Sequence, residues 1–124
     1  MSHDIISDAL NNIMNAKRVN KKLVVVKRSS KLLIKVLEMA KSEYYIKDYK
    51  KTKDGLEITF GEFNKCSSIK PRYNIKKDQI EEHMKQYLPA RGIGMIIIST
   101  SKGLMTHGEA IEKNMGGSLI AYFY

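Results

Sequence analysis

Five consecutive residues, Ser99-Thr100-Ser101-Lys102-Gly103, concentrate three hydroxyls, one ammonium and a flexible backbone position. A hydroxyl both donates and accepts, so such a segment can hydrogen-bond base edges, ribose 2′-hydroxyls and phosphates together. Short arms of this kind suit a shallow RNA minor groove or an irregular internal loop. Turns also favour Ser and Gly for backbone reasons alone, so a plain turn stands beside that reading. The segment lacks the glycine pattern of a nucleotide-phosphate loop. No G-x-S-x-G elbow surrounds any serine, and His107, the nearest histidine, reads as an exposed first-turn residue of a helix. His3, His83 and His107 stand far apart and Cys66 has no C-x-x-C partner, so neither a metal nor a cofactor is expected. Glu81 and Glu82 are adjacent and diverge on a helix, a poor acid/base pair. An enzyme is therefore not expected.

The cations say more. Of 22 Lys plus Arg against 13 Asp plus Glu, a net charge of +9, twelve cations fall between Lys17 and Lys51, against only Glu38, Glu43 and Asp48. An excess this lopsided on a 124-residue chain favours a polyanionic partner and reads as a footprint for a nucleic-acid backbone. Lys17, Arg18, Lys27, Arg28 and Lys31 are the candidate phosphate contacts in this block. Arg72 and Arg91 each stand near a rigid proline, where a guanidinium can fork onto phosphate or stack on a base. Tyr73 can stack an unpaired base or fill the core.

These groups need elements to hold them. Ile6, Leu10, Ile13 and Met14 share one helical face over residues 4–17, with Asn11, Asn12 and Asn15 directed elsewhere and Ser2 or Asp4 as cap. Val24-Val25-Val26 reads as a buried strand. Ser29 and Ser30 offer caps to a helix built on Leu32, Leu33, Val36, Leu37 and Ala40 and ending near Ser42. Tyr45–Lys51 and Leu56–Phe63 read as strands paired around Lys53-Asp54-Gly55. A polar connector follows at Asn64–Ser68, then an extended piece around Ile69–Ile75 and a helix from about Asp78 to Tyr87, stopped by Pro89. Ile93–Ser99 is a strand, and Ser99–Gly103 joins it to a helix opened by the Thr106/Glu109 capping box and ended by Gly116-Gly117. Ser118–Tyr124 closes the chain as a strand. The expected class is α+β, with an α-β-α-β-β lobe over residues 1–63 and a mixed β lobe with short helices over residues 64–124.

The longest apolar run, Met95–Ile98, is far short of the roughly 20 residues that span a bilayer, so no membrane is expected. The first 20 residues hold no apolar stretch of signal-peptide length. A lone cysteine fits a reducing compartment, and a cytoplasmic setting is expected.

The block Leu88-Pro89-Ala90-Arg91, Gly94 to Ser99, then Thr100-Ser101-Lys102-Gly103-Leu104-Met105-Thr106-His107 with Glu109-Ala110, resembles the eighth protein of the small ribosomal subunit. Asn64-Lys65-Cys66, Ile69-Lys70-Pro71-Arg72-Tyr73 and Gly116-Gly117 with Ile120-Ala121-Tyr122 are similar to its archaeal and eukaryotic branch. Asp4, Ala9-Leu10 and Asn15-Ala16 fit the family's first helix. The chain departs from the pattern at Ser67 and near Glu43, where the family often has glycine. The resemblance implies a two-lobed, ribosome-associated protein that binds the central domain of small-subunit ribosomal RNA and aids its assembly. It implies that Ser99, Thr100, Ser101, Lys102 and Gly103 meet an irregular region of an RNA stem and that the first lobe also touches RNA. Neighbouring ribosomal proteins are implied partners, and bacterial relatives also bind their own messenger RNA. The Asp78–Leu88 helix, with Asp78, Glu81 and Glu82, is expected to face solvent or a basic protein neighbour.

Overall fold

The computed structural model describes residues 5–69, 74–90 and 92–124. The expected caps Ser2 and Asp4, and the candidate site residues Arg72, Tyr73 and Arg91, lie outside them. The chain divides into two compact units, Met1–Lys65 and Cys66–Tyr124. Both combine helices with antiparallel strands, an α+β fold.

The first unit runs α1 (Ile5–Arg18), β1 (Leu23–Val26), α2 (Lys31–Ser42), β2 (Ile46–Thr52) and β3 (Gly55–Phe60). α1 buries Ile6, Ala9, Leu10 and Ile13, the stripe expected of a helix lying on a sheet. α2 starts where Ser30 Oγ accepts the Leu33 N–H at 3.1 Å and buries Leu33, Val36, Leu37 and Ala40. β3 is the centre of a three-stranded sheet of order β1-β3-β2, with Leu56 and Ile58 buried. The Val24–Val26 strand is not buried as expected. β1 is an edge strand, and its Leu23 and Val25 are 44% and 39% exposed while Val26 is buried. The strand expected to reach Phe63 stops at Phe60.

The second unit runs β4 (Cys66–Ser68), β5 (Asn74–Ile75), a 3₁₀ turn at Lys77–Gln79, α3 (Ile80–Tyr87), β6 (Met95–Thr100), β7 (Gly103–Thr106), α4 (His107–Glu112) and β8 (Gly117–Phe123). Its sheet has the order β4-β8-β6-β7, with β5 also paired to β8. Met95 to Ile98 are all buried, as the continuous apolar run of a central strand requires. Ile80, Leu88, Ile96, Ile98, Ala110 and Leu119 meet in the core of this unit.

Four expectations change here. Asn64–Ser68 is not only a connector, because Cys66 is buried at the start of β4 and pairs with Phe123. Burial pushes the Cys66 thiol up to about 12, so it is a core group. The helix expected from Asp78 becomes a 3₁₀ turn and then α3 from Ile80. The strand expected from Ile93 begins at Met95, because Gly92 and Gly94 have φ of 80° and 90° and turn the chain there. Gly116-Gly117 does not end α4, which closes on Asn114 at φ 55°. Those two glycines allow close approach instead: a Cβ at Gly116 would strike the Ile75 carbonyl, and one at Gly117 the Ser99 carbonyl.

Candidate nucleic-acid interface

The Ser99–Gly103 segment is not the strand-to-helix loop expected from its composition. Ser99 and Thr100 end β6, Gly103 begins β7, and only Ser101 and Lys102 form the turn of a β-hairpin. The register that pairs Ile97 with Thr106 and Thr100 with Gly103 fixes it. Thr100 Oγ1 donates to the Gly103 carbonyl at 2.9 Å and accepts the Lys102 N–H at 3.1 Å. The Thr100 hydroxyl thus builds the turn, while Ser101 and Lys102 stand exposed at its tip. Gly103 has φ 110°, with open space where a side chain would be.

Two residues that sequence reasoning missed extend this polar surface. Ser99 pairs with Ser118 on β8, and Ser118 pairs with Asn74 on β5, so their side chains share one face in a row across three strands. Ser118 Oγ bonds Asn74 Oδ1 at 2.6 Å. No local signal could show this, because Asn74 and Ser118 are 44 residues apart and meet only through strand pairing.

His107, expected to be exposed, is half-buried as the first residue of α4. Its Nδ1 accepts the Ile96 N–H at 3.1 Å, tying α4 to β6. Burial lowers its pKa from the ordinary 6.5. Below pH 6.5 the unfolded chain takes up a proton that the folded chain refuses, so stability falls as pH drops through that value. The thermal midpoint is expected to drop more between neutral pH and about 5.5 in the unmodified protein than in a His107→Gln variant, whose carbonyl can still accept the Ile96 N–H. A parallel decline in both would contradict this role.

In the first unit three of the five candidate cations, Lys17, Lys27 and Arg28, line two grooves. Lys27 and Arg28 line one of about 640 Å³ between α1 and β1, together with Lys21 and the unforeseen Asn11, Asn12 and Asn15. Helical spacing had directed the asparagines off the core face, and that is the signal that could have found them. Lys17 lines a second groove of about 530 Å³ with Lys21, Lys22 and Lys47. Lys17 Nζ sits 5.5 Å above the Phe63 ring, which fixes its position. Arg18 and Lys31 are exposed and line neither groove; Arg18 bonds Asn15 Oδ1 at 3.3 Å.

A hydroxyl hairpin on one unit and lysine-lined grooves on the other make surfaces for a polyanion. The family model of ribosomal protein S8 matches residues 4–124, essentially the whole chain. The chain belongs to the ribosomal protein S8 family. Members are structural proteins of the small ribosomal subunit that bind ribosomal RNA and neighbouring ribosomal proteins. Among the described residues no group of three His, Cys, Asp or Glu could hold a metal, and no helix is long and apolar enough to cross a membrane. In α3, Glu81 and Glu82 are exposed, while Ile80 is buried and Met84 and Tyr87 pack on the core.

Proposed function

We propose that the protein holds a distorted stem in the central domain of small-subunit ribosomal RNA and aids its assembly, associated with the ribosome in the cytoplasm. Ser101, Lys102 and the Ser99–Ser118–Asn74 row read the shape of that stem through short hydrogen bonds, and Thr100 and Gly103 hold the hairpin that presents them. Lys17, Arg18, Lys27, Arg28 and Lys31 neutralise phosphates and release counterions, adding affinity that depends on salt but carries little sequence information. The exposed acids of α3 meet a basic neighbouring protein.

The observation that carries the reading is the division of labour in the hairpin. The Thr100 hydroxyl is engaged within the turn, and Ser101 and Lys102 project from it. Ser101→Ala is expected to weaken binding to the cognate stem by about 1–2 kcal/mol, the value of one hydrogen bond, without changing thermal stability. An equal loss on an unrelated duplex would overturn this assignment. Thr100→Ala should differ by lowering stability as well, because it removes both bonds of the turn.

A further inference from the structure

Three helices of this protein end in the same backbone motif. After α1, Lys21 N–H bonds the Ala16 carbonyl and Asn20 N–H bonds that of Lys17. After α4, Met115 and Asn114 make the same pair of bonds to Ala110 and Ile111. After α2, Tyr45 and Tyr44 make them to Ala40 and Lys41. The pattern places one residue in the left-handed region each time, at φ 63° for Asn20, 55° for Asn114 and 66° for Tyr44. Asparagine tolerates that conformation and glycine adopts it freely, whereas a large aromatic does not.

Tyr44 gains nothing from packing in return, since it is 82% exposed, the highest among the large hydrophobic side chains. Its backbone is held by the Tyr44 carbonyl accepting the Glu62 N–H at 3.2 Å and by the Tyr45 carbonyl accepting the Gly61 N–H at 3.0 Å. A Cβ on Gly61 would run into the Tyr44 carbonyl, so Gly61 permits this close approach. A strained backbone carrying an exposed ring, over-determined by its surroundings, points to a use for the ring.

Its surroundings suggest the ligand. Gly61 also lines the groove formed by Lys17, Lys21, Lys22 and Lys47, and among the described residues no acid lines it. Glu43 adjoins Tyr44 in sequence and Glu62 donates its backbone N–H to the Tyr44 carbonyl; both are exposed. Phosphates are thereby favoured among the lysines and disfavoured beside the ring. The other aromatic groups of the groove do not offer a face for stacking: Phe63 is 8% exposed and packs edge-on against Phe60 with Lys17 above it.

We propose that this groove with Tyr44 at its border is a binding site for single-stranded RNA, with phosphates on Lys17, Lys21, Lys22 and Lys47 and an unpaired base stacked on Tyr44. An unpaired base is required because a base inside a duplex has both faces covered. The inference rests on the RNA-binding reading and adds a second site, on the first unit, to the hairpin of the second.

The test compares a short oligoadenylate with the cognate stem, using the full chain. Tyr44→Gly is expected to raise the thermal midpoint by relieving the left-handed backbone, and to weaken oligoadenylate binding by roughly tenfold, the loss of one stacked base. Tyr44→Phe keeps the ring and should retain the affinity. Lys22→Glu with Lys47→Glu should weaken the oligonucleotide further and flatten its salt dependence. Selectivity for the stem over a plain duplex should be unchanged in Tyr44→Gly. Unaltered oligoadenylate affinity in Tyr44→Gly, or none in the unmodified protein, would overturn the inference. Failure of the unmodified protein to prefer the stem would instead overturn the hairpin reading, which the oligonucleotide arm does not measure.

Discussion

Truncating Phe123 to alanine is expected to destabilise the second unit by about 3–5 kcal/mol. Phe123 is wholly buried at the end of β8, where it pairs with Met95 on β6 and Cys66 on β4. Removing a wholly buried ring leaves a cavity that its surroundings fill only partly. A loss of that size is a large fraction of the stability of a small protein. Urea unfolding measures it, and a loss below about 1 kcal/mol would show that Phe123 is not a core residue. Surface charge offers a contrast: Lys41 and Asp48 approach to 3.3 Å with both side chains exposed, and breaking that pair should leave stability nearly unchanged.

Replacing Lys21, Lys27 and Arg28 together by alanine is expected to reduce the slope of log affinity against log salt by roughly 2–3 for any RNA duplex. All three line the groove between α1 and β1, and all three are exposed, so the fold should persist. The loss should be the same for the cognate stem and a plain duplex, because phosphates carry no sequence. An unchanged slope would remove these residues from the interface.

Elements whose signal is local were legible in the sequence. The stripe Ile6-Leu10-Ile13, the Ser30 cap and the Thr106 cap all appear in the structure, with Ser30 accepting from Leu33 and Thr106 from Glu109. What sequence reasoning missed depended on strand pairing. Val24-Val25-Val26 has the apolar run of a buried strand, yet its side chains alternate. Val24 and Val26 share the face of buried Ile58 and Leu56, while Leu23 and Val25 lie exposed on the opposite face with Thr59 and Glu57. Leu104 and Met105 were too short an apolar pair to declare β7, which exists because Ser101-Lys102 lets the chain fold back on β6. The same holds at the site. Composition singled out Ser99–Gly103 and the Lys17–Lys51 block, whereas the engagement of Thr100, the Ser99–Ser118–Asn74 row and the gathering of Lys22 and Lys47 with Lys17 follow from pairing and packing. The one sequence signal at Tyr44 is the departure near Glu43 from a family pattern that often has glycine; its left-handed conformation is dictated by where α2 ends.

The most direct test is a salt titration of binding to the central-domain stem of small-subunit ribosomal RNA, beside a plain duplex of equal length. If the hairpin of the second unit reads shape while the lysines supply affinity, both curves fall with salt but the preference for the stem persists throughout. Equal and equally steep binding to both RNAs would contradict the account, leaving charge as the whole of the recognition.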